Sequence, residues 1–371
     1  MKIRHLYILF IVTFCGLPLF AQDKNSWPLF HGNQGLTGYT TVEIPSSPNL
    51  AWSFKATDGI KSSPVIGNNN IYIGSDDGTL YCLSLEGKKI WTFNAGNSIE
   101  APPLYFDNSV YAGTLEGNIF AIDAKTGKQR WKYVTDGQVS GSPNYFVNGS
   151  EKKILAGSYD YSLHCINDRT GKADWKYTSD NYIYCTPSVS GKITIFGGCD
   201  GKLHVVDLVT GKETKKINMG TYIASSSTLN GQEAFFGNYD GDFFCVDFNS
   251  GKTVWTKEGG GSFVSSPAIS ENYIVIGSEN RIVFCFNKKN GNIIWQFKTQ
   301  GKITGSPVIA GKKVVISSGD GRLYVLNLLT GEKLWSYEMG SPSDSTPAII
   351  DGLMVIACND GHVFAFSLNR K

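Results

Sequence analysis

The chain has 371 residues, of which 41% are apolar, 13% aromatic and 18% charged, with 42 Gly, 13 Pro and a formal net charge of +2. That composition excludes a disordered, collagenous or coiled-coil chain. Of the 34 basic residues, Lys2 and Arg4 lie in the first 21, and the 32 that follow balance 32 acidic ones. No basic surplus points to nucleic acid.

Residues 1–21 read as a secretory signal peptide: Lys2 and Arg4 precede an apolar run from Leu6 to Phe20 that ends at Ala21 and Gln22. The run is too short, and too interrupted by Gly16 and Pro18, for a membrane span of roughly 20 apolar residues. Phe14 before Cys15 stands where a lipoprotein signal needs a small residue, so the expected product is periplasmic or secreted and not lipid-anchored. No later stretch is long and apolar enough to span a bilayer.

Residues 22–371 are dominated by a repeat, expected to form a single domain. A proline recurs at Pro64, Pro103, Pro143, Pro187, Pro267, Pro307 and Pro347, with Ser227 in the remaining slot. In the same phase a tryptophan recurs at Trp52, Trp91, Trp131, Trp175, Trp255, Trp295 and Trp335, with Lys215 in its remaining slot. Steps are 39, 40 and 44 residues, then 40 throughout, and the longer step predicts one enlarged inner hairpin loop between Pro143 and Tyr161.

Each copy reads as four short strands. In the first, these start near Val65, Ile71, Leu80 and Ile90 and are separated by Asn68-Asn69, Asp77-Gly78 and Glu86-Gly87, residues that tolerate the positive φ of tight hairpins. Eight such units predict an all-β, eight-bladed β-propeller of four-stranded antiparallel blades. The last copy stops before its Trp strand, whereas Ala51 to Phe54 is a fourth strand with no preceding three. The N-terminal strand should therefore complete the last blade and close the ring.

Seven cysteines follow residue 21, an odd number. Cys82, Cys165, Cys245 and Cys285 share a register filled elsewhere by Ala121, Val205, Val325 and Ala365, which predicts buried, free thiols. No CxxC spacing and no adjacent Cys pair occurs.

AIDAKTGKQRW (121–131) matches the A-x-D-x-x-T-G-x-x-x-W motif of the quinoprotein-type (PQQ-like) repeat, and residues 165–175, 245–255 and 325–335 are weaker copies. The opening WPLFHGNQGLTG (27–38) also resembles the start common in that superfamily. Within it, the chain resembles the exported propellers of the BamB type. The motif has a structural explanation of its own: Thr126-Gly127 turns the chain, Asp123 accepts from backbone amides, and Trp131 packs between blades. The resemblance to the quinone-dependent enzymes implies an adjacent Cys-Cys disulfide and a Ca²⁺ held by Glu, Asn and Asp. This chain lacks the cysteine pair and the long insertions, so no cofactor is expected.

Four residues before each proline slot stand Ile60, Ile99, Val139, Ile183, Ile223, Phe263, Ile303 and Ser343, a predicted core ring. One residue later stand Lys61, Glu100, Ser140, Tyr184, Ala224, Val264, Thr304 and Asp344, which alternation turns toward the axis or solvent. Gln138, Tyr182, Tyr222 and Lys302 flank them. The candidate interaction face is therefore Lys61, Glu100, Gln138, Tyr182, Tyr184, Tyr222, Lys302 and Asp344, with the tyrosines clustering around blades 4 and 5. His164 and His204 replace ring residues such as Tyr81 and Phe120 and should be packed; His31 belongs to the opening motif and His362 to a turn. No nucleophile elbow, P-loop or metal-helix motif is present.

Three functions are consistent with these residues. The first is a non-catalytic protein-interaction platform of the cell envelope, which binds protein partners, as in outer-membrane protein assembly. The second is a glycan-binding or polysaccharide-lyase propeller using Tyr182, Tyr184 and Lys302. The third is a dehydrogenase dependent on pyrroloquinoline quinone and calcium.

Overall fold

The computed structural model describes residues 23–369; the signal-peptide reading of residues 1–21 lies outside them. Among the described residues, thirty-three strands and no helix are formed. They make eight antiparallel sheets arranged as the blades of a propeller. Blade 1 is Val65–Gly67, Asn70–Gly74, Thr79–Ser84 and Lys89–Asn94, from the axis outward. The third strand carries the repeat's buried apolar stretch on both faces, and the fourth alternates exposed and half-buried positions because only one side meets a neighbour.

Turn chemistry follows the sequence. Asn68 and Asn69 lie at φ 50° and 58°, a two-residue hairpin of mirror-image type that suits the strand twist. In the second hairpin, the left-handed slot is Gly at 78, 117, 201, 241, 321 and 361.

Blade 8 is Ala348–Ile350, Leu353–Ala357 and His362–Ser367, closed by Asn49–Lys55 with Trp52 opposite Ala365. The ring closes as expected. One expectation is corrected. In blade 3 the first two strands, Asn144–Asn148 and Glu151–Gly157, are 5 and 7 residues long, against 3 and 5 in blade 1. Their register is unbroken across a two-residue turn. The four extra residues lengthen the ladder rather than the loop, because each pairs with a partner and leaves no backbone group unmatched.

The tryptophans bind neighbouring blades together. Trp52, Trp91, Trp175, Trp255 and Trp295 each donate the indole N–H to a backbone carbonyl 33 residues on, and Trp131 to one 37 residues on across the longer blade 3, at 2.6–3.2 Å. The indole rests on the Gly of the next T-G-K turn: a Cβ on Gly211 would lie 2.6 Å from Trp175. Gly is required there by both its φ of 70° and this contact. Trp335 instead stacks on Tyr337 and meets Phe366 edge-on. In the Lys215 slot the ammonium donates to the Asn249 carbonyl, a polar replacement for the indole N–H. The T-G-K turn itself is as read: Thr126 donates to Asp123 Oδ1 from its amide at 2.9 Å and its hydroxyl at 2.8 Å.

All seven described cysteines are free, and Cys82, Cys165, Cys245 and Cys285 are fully buried. No helix among the described residues is long and apolar enough to cross a membrane.

Candidate functional site

One end of the central channel is closed by the chain's own N-terminal segment. Residues 24–40 run across the ends of the innermost strands and bond to each blade in turn. Trp27 exchanges both backbone bonds with Ile66, and the carbonyls of Pro28, Gln34, Gly35, Thr37, Gly38 and Lys24 accept from Tyr105, Val189, Leu229, Ile269, Ile309 and Asp351. Blade 3 is met by side chains, Gln34 donating to the Tyr145 carbonyl at 2.7 Å and Asn144 donating to the Gln34 carbonyl at 3.0 Å. Tyr39–Thr40 adds a short parallel strand to blade 7. Trp27, Leu29, His31 and Leu36 are buried by this plug.

The other end opens as a cup of about 370 Å³. All eight residues of the ring read from the repeat, Lys61, Glu100, Ser140, Tyr184, Ala224, Val264, Thr304 and Asp344, line it, and the preceding ring from Ile60 to Ser343 is buried behind them. Phe30 of the plug lines it as well, so the cup has a floor.

Gln138, Tyr182, Tyr222 and Lys302 occupy one structural position on the rim. Their carbonyls accept the amides of Tyr159, Cys199, Tyr239 and Gly319, the residues that open the second hairpin of the following blade. This lattice holds rim and hairpin tip together, so side chains from both project from one face.

The charged and aromatic residues segregate. Lys61 pairs with Glu100 at 2.6 Å, and that bond raises the Lys61 pKa above its usual value, with Asp76 and Asp344 adding to it. Asp344 accepts from the Thr304 hydroxyl and from Asn359 Nδ2 at 2.9 Å. Lys302 lies 3.5 Å from Glu279. Opposite these, Tyr182 stacks on Tyr159 at 4.7 Å and meets Tyr161 at 5.1 Å, and Tyr184 packs 6.2 Å from Tyr159. Desolvation pushes the Tyr159 phenol up to about 12. Tyr222 pairs separately with Tyr239 at 6.5 Å. The predicted tyrosine cluster is thus two groups, and among the described residues no ring contact joins Tyr222 to Tyr182 or Tyr184.

Tyr159, Tyr161 and Tyr239 were not anticipated. One signal was available: Tyr161 fills the slot that is Gly in six other blades. It sits at φ 68° and is exposed. Arg281 fills the same slot of blade 6, also at 68°. A bulky residue in this conformation is strained, and such strain concentrates at functional positions.

His164 and His204 are buried, as expected of ring substitutes. Each bridges two blades: His164 lies 3.0 Å from Tyr133 and from Asp160, and His204 2.9 Å from Tyr177 and 3.1 Å from Asp200. Burial lowers the pKa of His164 and opposes the pull of Asp160. Neither ring reaches the cup. His362 faces Asp360 in its turn.

The fold and cup define an eight-bladed propeller of the PQQ-like repeat class. The sequence profile of the family described as outer membrane protein assembly factor BamB matches residues 41–181, 77–297 and 240–370. The chain belongs to that family. Comparison with curated protein sequences returned no match.

Among solved structures it is similar to BamB from Moraxella catarrhalis, with 19% identity, TM-score 0.74, and 86% of this chain and 99% of that one covered. It is also similar to a europium-containing methanol dehydrogenase, at 12% identity and TM-score 0.83 over 94% and 99% of the two chains. A computationally designed protein, Ika8, superimposes with TM-score 0.76 at 17% identity over 88% and 100%. At these identities the likeness is one of fold.

The quinone of the dehydrogenases does not fit this cup. A planar tricarboxylate needs uncommitted cations, but Lys61 and Lys302 both face carboxylates, and Glu100, Glu279 and Asp344 outnumber them.

Proposed function

We propose that the chain is an exported, non-catalytic propeller that holds a polypeptide partner in the cell envelope during outer-membrane protein assembly, using the mouth face as its docking surface. The observation that carries this reading is Tyr161. The fold needs only a glycine at its turn, and six other blades have one. Keeping a tyrosine there costs about 1–2 kcal/mol of backbone strain, yet the ring is turned outward beside Tyr182. Rigid, exposed tyrosines contribute contact area at low entropic cost and are enriched at binding hot spots. Membership of the BamB family supplies the assembly context.

The test is photo-crosslinking in the cell. A photoreactive residue at Tyr161 or Tyr222 is expected to trap a component of the outer-membrane assembly apparatus, whereas the same residue at Lys252, exposed on an outermost strand, is not. Equal trapping from both sites, or none from the tyrosine positions, refutes the assignment of this face.

A further inference from the structure

Beneath the lip of the cup lies a second ring, formed by the residue before each proline slot: Ser63, Pro102, Ser142, Thr186, Ser226, Ser266, Ser306 and Thr346. The hydroxyls form a ladder around the channel. The amide of Ser142 donates to Thr186 Oγ1, Thr186 to Ser226 Oγ, Ser226 to Ser266 Oγ, Ser266 to Ser306 Oγ, Ser306 to Thr346 Oγ1 and Thr346 to Ser63 Oγ, all at 2.8–3.0 Å. Only Pro102, with neither an amide hydrogen nor a hydroxyl, interrupts it.

Six of these oxygens, all but Ser142 Oγ, therefore already accept one backbone N–H. Their own O–H groups are uncommitted, whereas Ser142 donates to the Pro143 carbonyl at 3.2 Å. Six hydroxyl donors, all at least nine-tenths buried, thus line the wall of one cup without an acceptor among the described residues. Buried donors of this kind are normally matched, and here the space in front of them is the cup.

The cup's chemistry narrows what would match them. A net anion is disfavoured, because Glu100, Glu279 and Asp344 outnumber Lys61 and Lys302. A simple cation offers no acceptor and would leave the O–H groups unmatched. An apolar molecule would desolvate them without compensation. A neutral polyol with a flat C–H face answers every wall: its hydroxyl oxygens accept from the ladder, its O–H groups donate to Asp344 and Glu100, and its C–H face lies on Tyr184 or Phe30.

We infer that the cup is a saccharide-binding site; it shares Tyr184 with the tyrosine group of the mouth face but is argued from the hydroxyl ladder, independently of the docking reading. Small-ligand pockets start at roughly 300 Å³, so about 370 Å³ accommodates one or two pyranose rings. Phe30 closes the floor, so the cup receives a free sugar or the end of a chain, never a mid-chain segment.

The test is saturation-transfer NMR on the protein spanning residues 22–371, with glucose, galactose, mannose and N-acetylglucosamine, each as the free sugar and as a linear oligomer. At least one is expected to bind. Binding of the free sugar alone identifies a monosaccharide ligand; binding of both identifies a chain end. Tyr184→Ala and Asp344→Asn should each weaken binding about tenfold or more, with Thr304→Val as a third, conservative change if either variant fails to fold. Absence of transfer from every sugar overturns the proposal, as does binding that is undiminished in the variants. Neither result bears on crosslinking at Tyr161.

Discussion

The amide of Thr346 donates to the hydroxyl of Ser63 at 2.9 Å, joining residues 283 apart in sequence. It is the bond at which the hydroxyl ladder passes from the last blade to the first, so the ladder crosses the same junction that Asn49–Lys55 closes and is open only at Pro102. Ser63→Ala leaves that buried amide without its acceptor, which costs about 1–3 kcal/mol. Urea denaturation should show this loss, and Ser63→Thr should restore most of it.

Tyr161→Gly separates stability from binding. Removing the left-handed tyrosine relieves strain, while the new glycine adds chain entropy to the unfolded state and the Tyr182 contact is lost. The net change in unfolding free energy should stay within about 1 kcal/mol, whereas crosslinking to the partner from Tyr222 should fall severalfold. A large loss of stability would show that Tyr161 is a fold residue.

Lys215→Trp restores the girdle in the one blade that lacks it. Gly251 already leaves the platform open beside the Lys215 chain, and the indole would replace a flexible ammonium. Thermal unfolding should report stabilisation of about 1 kcal/mol. The opposite change, Trp255→Ala, should cost about 2–3 kcal/mol, below the range for a fully buried Trp because the ring is half-buried.

His31 makes stability depend on pH. Burial draws its pKa from 6.5 to about 4, outweighing the bond to the Leu36 carbonyl. Nδ1 donates to that carbonyl at 3.0 Å, and Nε2 is buried with no partner. Between about 6.5 and 4 the unfolded chain binds a proton that the folded chain does not. Stability is therefore complete above the upper value and falls as pH drops through the window, by on the order of 3 kcal/mol at its full extent. His164, also lowered by burial, acts in the same direction. His31→Asn, whose side chain tolerates the φ of 59°, should flatten part of this slope in denaturation curves recorded from pH 7 to 4; an unchanged slope would assign it elsewhere.

The two rings of the mouth show how far the sequence could be read. Because the repeat holds its phase, the ring from Lys61 to Asp344 aligns in the sequence alone, and all eight of its residues line the cup. The Ser or Thr before every proline slot except that of Pro103 was visible in the same alignment, but its role was not. A hydroxyl that accepts an amide from the next blade looks, in sequence, like any turn serine. Tyr159 and Tyr239 were hidden for a related reason: they lie in hairpin tips and meet Tyr182 and Tyr222 on the loops that join one blade to the next.

The residues by themselves determined the blade, its turns, the Trp girdle, the buried thiols and ring closure, since each depends on contacts within one repeat or at a fixed offset between repeats. Only the tertiary structure decided that residues 24–40 bond to every blade and plug the channel, that the extra residues of blade 3 extend strands, and that charged and aromatic residues take opposite sides of one cup. These features arise where the ring brings eight blades to a common axis. A repeat of about 40 residues carries no record of which side chains will face one another across it.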